Sequence, residues 1–155
     1  MIKTFKGKIA EDGLLQIRLS TNDGLTGYVL RKFQLMPTAP GVNNVEHVAK
    51  IFTTENNETG ATRTPDATVN LDDPTLIGVA YYQDNGSSGV SFMTDVIIDN
   101  VTVNQDIYVT HVDAAGGTTG CNFYIELEKV KLSKDEAAVA TLKDMRAGPD
   151  TNFGS

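Results

Sequence analysis

The sequence predicts an all-β protein: an antiparallel β-sandwich, in jelly-roll form, with one C-terminal helix. Runs of β-branched, aromatic and aliphatic residues recur along the 155 residues, and Gly, Pro, Asn and Asp separate them at short intervals. No helical periodicity interrupts these runs before residue 133. Strands without interleaved helices favour packed antiparallel sheets. Roughly eight to ten strands with uneven loops suit a jelly roll. An immunoglobulin-like sandwich is the alternative, although the chain has no Trp and no pair of cysteines.

The first half of the chain contains four strong strand patterns and one weak one. Turn residues such as Asp12-Gly13 and the two prolines of Pro37–Gly41 separate them. In the third strand, strict alternation puts Phe33 and Leu35 on one face with Val29, and Leu30 on the other. The predicted strands cover residues 2–9, 15–19, 27–36, 45–54 and 69–71.

The second half adds strands at residues 75–83, 96–98, 101–103, 105–112 and 123–128. Three polar segments join the strands as loops. Glu55–Pro65 has almost nothing to bury, so it is expected to be exposed and mobile. Asp84–Gly89 and Asp113–Gly120 are rich in Gly and in small polar residues.

The sequence changes period after residue 132. Ser133-Lys134-Asp135-Glu136 matches a capping box, in which the serine and the glutamate satisfy each other's backbone amides. Ala138, Leu142 and Met145 follow at helical spacing and predict the buried face. Ala147-Gly148-Pro149 is a typical helix end. We therefore predict a β-sandwich domain over residues 1–132, a helix over 133–147 and a flexible tail over 148–155.

Charge and cysteine content limit the possible partners. The net charge of −7 argues against a broad surface for nucleic acid. The N-terminus lacks the features of a signal peptide, and no apolar run is long enough to span a membrane. Cys121 is the only cysteine, so no intrachain disulfide can form. These features fit synthesis in a reducing cytoplasm, without secretion and without membrane attachment.

No combination of residues in the sequence indicates catalysis. There is no Gly-x-Ser-x-Gly nucleophile elbow, and Gly24–Gly27 lacks the lysine of a phosphate-binding loop. His47 and His111 lie in separate predicted strands that could meet in a sheet. A zinc site needs at least three protein ligands, and Cys121 is the only thiol. The prediction is a non-enzymatic protein with no catalytic residues, no cofactor and no metal; the histidines are expected to be structural and Cys121 a buried apolar residue.

Three weaker patterns have ordinary structural explanations. Glu126 and Glu128 share one strand face and could act as a carboxylate pair, but a solvated face explains them better. The tyrosine pair at 81–82 could stack on a sugar, but alternation puts one ring in the core and one outside. Acidic loop pairs hint at calcium without the spacing of an EF-hand: Asp72-Asp73, Asp84-Asn85 and Asp99-Asn100.

Several stretches together resemble one known family. They are KTFKGKIA at residues 3–10, Gly27–Met36 with its Pro37–Gly41 exit, EHVAKIF at 46–52, VIIDN at 96–100, NQDIYVT at 104–110 and NFYIELE at 122–128. In these stretches the chain resembles small virion structural proteins of marine tailed bacteriophages, including short-tailed phages of cyanobacteria. The resemblance runs from Lys3 to about Arg146 and implies a place in the virus particle.

The resemblance leaves three functions open. The first is a capsid decoration, cement or minor capsid protein that forms a homo-oligomer, with a trimer expected, and clasps the major capsid protein through the N-terminal strand and the helix Lys134–Arg146. The second is a tail or fibre-tip module whose loops 55–65, 84–89 and 113–120 attach to carbohydrate on the host surface. The third is a carbohydrate-acting enzyme. Under the first two, the partners are the protein itself and capsid or tail proteins, with no nucleic acid or membrane, and the location is the virion.

Overall fold

The computed structural model describes residues 1–42, 44–85 and 89–146, with residues 90 and 143–146 described by their backbone alone. This part of the chain forms nine strands and one helix. They are β1 (Ile2–Ile9), β2 (Gly13–Ile17), β3 (Thr26–Pro37), β4 (Val45–Phe52), β5 (Leu76–Asn85), β6 (Val90–Ile97), β7 (Thr102–Val103), β8 (Ile107–Asp113), β9 (Cys121–Lys131) and α1 (Lys134–Arg146). The described helix is too short and too polar to cross a membrane.

The strands form two antiparallel sheets. One has the order β1-β9-β3-β7 and the other has the order β2-β8-β4-β5-β6. Four of the antiparallel pairs nest inside one another along the chain: β1 with β9, β2 with β8, β3 with β7 and β4 with β5. The prediction of a mostly antiparallel β protein with a C-terminal helix is confirmed.

One apolar core joins the two sheets. Phe33 and Ile125 from the first sheet and Ile51, Ile107 and Val109 from the second are all fully buried in it. Strand periodicity predicted the inward faces of β4, β8 and β9, which alternate as expected. A smaller apolar group covers the outer face of the second sheet, and it consists of Phe52, Leu76 and Val79.

The predicted faces of β3 were wrong at two positions, Val29 and Leu30. Leu30 is 2 % exposed and belongs to the same core as Phe33 and Leu35. The cause is a β-bulge: Leu30 pairs with Leu127, but Lys32 already pairs with Glu126, so Arg31 is an extra residue. The bulge reverses the alternation, and both halves of the strand turn their apolar residues inward. Val29 falls on the opposite side from Leu30 and is not part of this core.

Several boundaries differ from the prediction. The strand expected at residues 96–98 begins earlier, at Val90, and forms a long hairpin with β5. Residues 69–71 are not in a strand, because a turn closed by a hydrogen bond from the Asp73 amide to the Asn70 carbonyl follows instead. The helix end at 147–149, the tail at 148–155 and part of the loop at 84–89 lie outside the described residues.

The helix begins as predicted but buries a different face. The Glu136 amide donates to Ser133 Oγ at 3.2 Å, and the Ser133 amide donates to Glu136 Oε1 at 3.1 Å, which confirms the capping box. The expected face was wrong for Ala138 and Leu142, since both are exposed. The buried side carries Ala137 and Ala140 instead.

Asn104 explains this choice of helix face. Its Nδ2 donates hydrogen bonds to the Ala137 carbonyl oxygen at 3.1 Å and to Thr141 Oγ1 at 2.8 Å. Asn104 is fully buried, so these hydrogen bonds offset the cost of removing its NH2 group from water, whereas its Oδ1 has no partner among the described residues. The helix therefore turns its small residues, rather than its largest apolar ones, toward the sheets.

Candidate functional site

The most unusual group of side chains is a buried cluster formed by His47, His111 and Cys121. His47 lies on β4 and His111 on the neighbouring β8, whereas Cys121 begins β9 in the opposite sheet. All three residues are fully buried. The cluster therefore lies between the two sheets, and each sheet contributes to it.

Strand register brings the two histidines together. Ala49 pairs with His111 and His47 pairs with Asp113, so the histidines are diagonal neighbours on the inward face. His47 Nδ1 lies 2.8 Å from His111 Nε2. The second nitrogen of His111, Nδ1, lies 3.0 Å from the Ala10 carbonyl oxygen.

These contacts assign the protons. A carbonyl oxygen only accepts, so the neutral His111 ring carries its proton on Nδ1 and has a lone pair at Nε2. That lone pair accepts the proton of His47 Nδ1. His47 Nε2 is then a buried lone pair, and no donor among the described residues reaches it. Burial lowers the pKa of His47, and His111 lowers it further while Asp113 opposes the shift. His47 is therefore neutral near pH 7.

Cys121 completes the cluster from the other sheet. The ligand atoms of the three residues all lie within 4.8 Å of one another. Burial raises the pKa of the Cys121 thiol to about 12, so the thiol is protonated and is not a nucleophile. Its Sγ approaches the carbonyl oxygens of Asn122 and Met36, at 3.3 and 3.5 Å.

Asp113 supplies the nearby negative charge. It is 4 % exposed, and its Oδ1 accepts hydrogen bonds from the amides of Glu46 and Ala115 at 3.0 and 3.1 Å. Its Oδ2 is buried and has no partner within the described residues. Its charge acts on both His47 and Cys121. The cluster is therefore a set of metal-type donors beside a carboxylate, enclosed away from any substrate.

Sequence interpretation predicted that the histidines could meet but did not bring Cys121 to them. His47 and His111 are 64 residues apart, and no spacing motif joins them. A partial signal was present, because period-two alternation puts each histidine on the apolar face of its strand. The contribution of Cys121 from the opposite sheet could not be predicted from the sequence, since it depends on how the two sheets stack.

A second polar feature covers the outer face of the second sheet. The connection between β4 and β5 folds back onto this face and is held by Arg63, whose side chain is 10 % exposed. The guanidinium lies 3.7 Å over the ring of Phe52. It donates to the carbonyl oxygen and hydroxyl of Thr54 at 2.9 and 2.8 Å and to the hydroxyl of Thr75 at 2.7 Å. The segment predicted as a loop is thus exposed along most of its length, but anchored by this one side chain.

A cavity of about 270 Å³ lies under this connection. Lys50 is buried at its wall, and its Nζ lies 2.6 Å from both Asp66 Oδ1 and the Thr68 carbonyl oxygen. Asn57 and Asn70 also line the cavity. The charge of Lys50 is already paired with that of Asp66, so the cavity offers amide and carboxylate groups rather than an acid–base pair.

The remaining sequence candidates stay apart. Glu126 accepts from the Tyr124 hydroxyl at 2.6 Å, and Glu128 pairs with Arg31 at 3.0 Å, so both belong to a solvated sheet face. Tyr82 is buried in the core, whereas the Tyr81 hydroxyl donates to Glu46 at 2.8 Å. This is the division between core and surface that alternation predicted.

The acidic loop pairs do not converge on a common site. Asp73 Oδ1 accepts from the amide of Thr75, Asp84 Oδ2 accepts from the amide of Gly41, and Asp99 is 3.9 Å from Arg31. Within the described residues, the histidine–cysteine cluster is the group whose ligand atoms come close enough to share an ion.

Comparison with protein-family models, with curated proteins and with solved structures finds no match to this chain. The fold and the site define its class: a mostly antiparallel β protein of two sheets, with a C-terminal helix and an enclosed histidine–cysteine cluster.

Proposed function

We propose that the protein is a non-enzymatic structural protein of a tailed-phage virion, most simply a capsid decoration or minor capsid protein, with the jelly-roll form of the β-sandwich. The observation that carries this proposal is the nesting of four antiparallel pairs, from β1 with β9 inward to β4 with β5. In a jelly roll, one long nested hairpin is wound into two sheets, and nested antiparallel pairs of this kind are what that fold would give. Viral capsid domains commonly use that fold. β6 is then an added strand beyond the eight.

The edge strand β6 supports assembly into an oligomer. In the described part of the chain, no strand pairs with its outer edge. Phe92 and Met93 are each 56 % exposed, and Val96 is 41 % exposed. An apolar strand edge is a template for pairing with another chain. The other long edge strand, β1, is different: it carries three lysines, and lysines on an edge discourage pairing.

We take the partner at β6 to be a second copy that presents a different surface to this edge, because a trimer, which remains the expected oligomer, requires such a heterologous contact. The helix adds to the exposed apolar surface, because Val139 and Leu142 are 53 % and 49 % exposed on the side that faces away from the sheets. This fits the idea that the helix clasps a neighbour in the particle. Closed symmetric assembly would cover these groups in every copy.

Sedimentation velocity of the full chain at micromolar concentration tests the assembly. The wild type is expected to sediment as an oligomer, and Phe92→Ser with Val96→Ser as a smaller species. Val69→Ser is the matched control, since Val69 is 45 % exposed but lies outside the strands, and it should not change the oligomer. A wild-type monomer, or an oligomer that the double change leaves intact, would count against this role of β6.

Quantitative mass spectrometry of purified particles tests the place in the virion. Hundreds of copies per particle would support a decoration protein, whereas tens or fewer would support a tail module. Absence of the chain from purified particles would refute the structural role altogether.

The tail or fibre-tip role has one observation in its favour. The cavity under the connection between β4 and β5 is lined by Asn57, Asp66 and Asn70. The two amides could donate hydrogen bonds to sugar hydroxyls and accept them, and the Asp66 carboxylate could accept them. A glycan array probed with the full chain tests this role. Specific binding that Asn57→Ala abolishes would favour attachment over decoration.

A further inference from the structure

We propose that His47, His111 and Cys121 bind one zinc ion that links the two sheets. This inference does not depend on the virion role. It concerns a site within a single chain, and it holds or fails whatever particle the chain belongs to. The sequence predicted no metal here, because its donors are far apart along the chain.

The donor set has the chemistry that zinc prefers. Imidazole nitrogen and thiolate sulfur are the usual ligands of structural zinc sites. His111 is already oriented as a ligand: its Nδ1 donates to the Ala10 carbonyl at 3.0 Å, which directs the Nε2 lone pair toward the cluster. Metal-bound histidines almost always make such a second hydrogen bond, which fixes the tautomer and the ring plane.

The distances need only small adjustments. Two nitrogens bound to a tetrahedral zinc at 2.0–2.1 Å lie about 3.3 Å apart. His47 Nδ1 and His111 Nε2 are 2.8 Å apart, so the rings would separate by roughly 0.5 Å. Cys121 is within 4.8 Å of both and approaches from the other sheet, so a shift between the layers can close the site.

The cluster is incompletely satisfied without an ion. His47 Nε2 and Asp113 Oδ2 are both buried without partners in the described residues. A buried polar atom without a partner is unfavourable. Zinc at His47 Nδ1 requires the tautomer that carries its proton on Nε2, so this atom becomes a donor, and Asp113 Oδ2 is a buried acceptor that also lacks a partner among the described residues. Charge also balances: Zn²⁺ with one thiolate and two neutral imidazoles leaves a single positive charge, and the Asp113 carboxylate is nearby to neutralise it.

Burial determines how the ion would enter. All three ligand residues are fully buried, so zinc would bind as the sheets close rather than enter the finished fold. The Cys121 thiol would lose its proton to solvent as the sulfur binds the ion. Because the unfolded chain holds no such site, binding would add directly to folding stability.

The test is refolding with and without metal. The full chain is unfolded in denaturant with a chelator and a reductant, then refolded with zinc chloride or with chelator present. We expect one zinc per chain by elemental analysis after desalting. At free zinc about 100-fold above the dissociation constant, the melting temperature should rise by about 5–10 °C relative to the chelated protein.

Cobalt provides a second readout that does not depend on stability. Refolding with Co²⁺ should give the visible bands of a tetrahedral centre, with a water molecule as the fourth ligand beside the three side chains, and an ultraviolet sulfur-to-cobalt charge-transfer band. Cys121→Ala should lose the charge-transfer band and at least ten-fold in zinc affinity while still folding, since alanine fits the space of a small buried thiol. His111→Gln should also lose the zinc-dependent shift in melting temperature.

Thr110→Val is the matched control. Thr110 is on the same strand and 2 % exposed, but it lines the cavity on the outer face of the sheet, so the change should leave zinc binding intact. Wild-type protein that refolds with less than a tenth of an equivalent of zinc would overturn the proposal. A Cys121→Ala variant that keeps the wild-type affinity and cobalt spectrum would overturn it too.

Discussion

Arg63→Ala should release the connection between β4 and β5 from the outer face of the second sheet. The guanidinium donates three hydrogen bonds to Thr54 and Thr75 and lies 3.7 Å from the centre of the Phe52 ring. Removing it leaves a space beside an aromatic ring and frees the hydroxyls that it had fixed. Lys50 still binds Asp66 and the Thr68 carbonyl in the variant, so the loss should act mainly on the residues before Asp66.

The size of the effect follows from these contacts. Hydrogen bonds that involve a charged group each contribute about 1.5–3 kcal/mol, and a buried cation–π contact about 2 kcal/mol. The variant recovers about 2 kcal/mol of side-chain entropy, and it no longer has to remove a guanidinium from water. Burial, partly offset by Asp73, lowers the pKa of Arg63, which reflects that desolvation cost. The net loss in the free energy of unfolding should be about 2–4 kcal/mol, because water will replace part of what is removed.

Urea unfolding followed by tyrosine fluorescence measures this loss. With an m-value of about 2 kcal/mol/M, the midpoint should fall by about 1–2 M. Arg63→Lys keeps the charge but not the planar fork, so it should lose most of the same stability. Arg18→Ala removes an exposed arginine and should change the midpoint by less than about 0.3 M.

Limited proteolysis separates local opening from global unfolding. Arg63→Ala should be cut within residues 53–75 under conditions where the wild type is not cut. The reasoning is refuted if Arg63→Ala matches the wild type in midpoint and protease resistance, or if Arg63→Lys restores both completely.

Three further predictions concern the core, an acidic anchor and the helix. Gly78→Ala should cost about 1–3 kcal/mol in urea unfolding, because the new Cβ would lie 2.6 Å from Cδ2 of Leu30, which is itself buried; an unchanged midpoint would show that the core can yield there. Burial alone would raise the pKa of Asp106, but hydrogen bonds from Ser20 and its neighbours hold it below its ordinary value. This carboxylate therefore stabilises the fold above about pH 4 and loses its contribution as the pH falls through the lowered pKa, so Asp106→Asn should flatten the acid limb of a stability–pH curve; identical curves would contradict this. Ser133→Ala should cost about 1 kcal/mol by removing the cap, whereas Ser133→Asp should cost much less, and equal losses for both would argue against capping.

Local patterns in the sequence predicted a large part of this fold. Period-two alternation identified the inward faces of β4, β8 and β9, because successive side chains of a strand point to opposite faces of the sheet. The capping box at Ser133 was recognised because its two hydrogen bonds join residues three apart. Both patterns lie within a few consecutive residues, so they can be recognised in the sequence without knowing how the sheets pack.

The misplaced features depend on partners that are remote in sequence. The bulge at Arg31 is a shift in the register between β3 and β9, and the sequence of β3 alone does not indicate it. The helix face was chosen by Asn104, which lies 33 residues before Ala137. The histidine–cysteine cluster has the same origin: three strands from two sheets must be stacked before its members meet.

The nesting of the strands has a consequence for how the chain is made. β1 and β2 are synthesised before the other described strands, but their partners β9 and β8 are synthesised after the other described strands. At roughly 5–20 residues per second, Ile17 waits about 5–20 s before Ile107 exists to pair with it. The nascent chain must therefore carry unpaired apolar strands until β8 and β9 have been synthesised, and closure is then close to a single event. A product that ends before Cys121 would lack β9, the strand that pairs with both β1 and β3, and such a product should aggregate rather than fold in part.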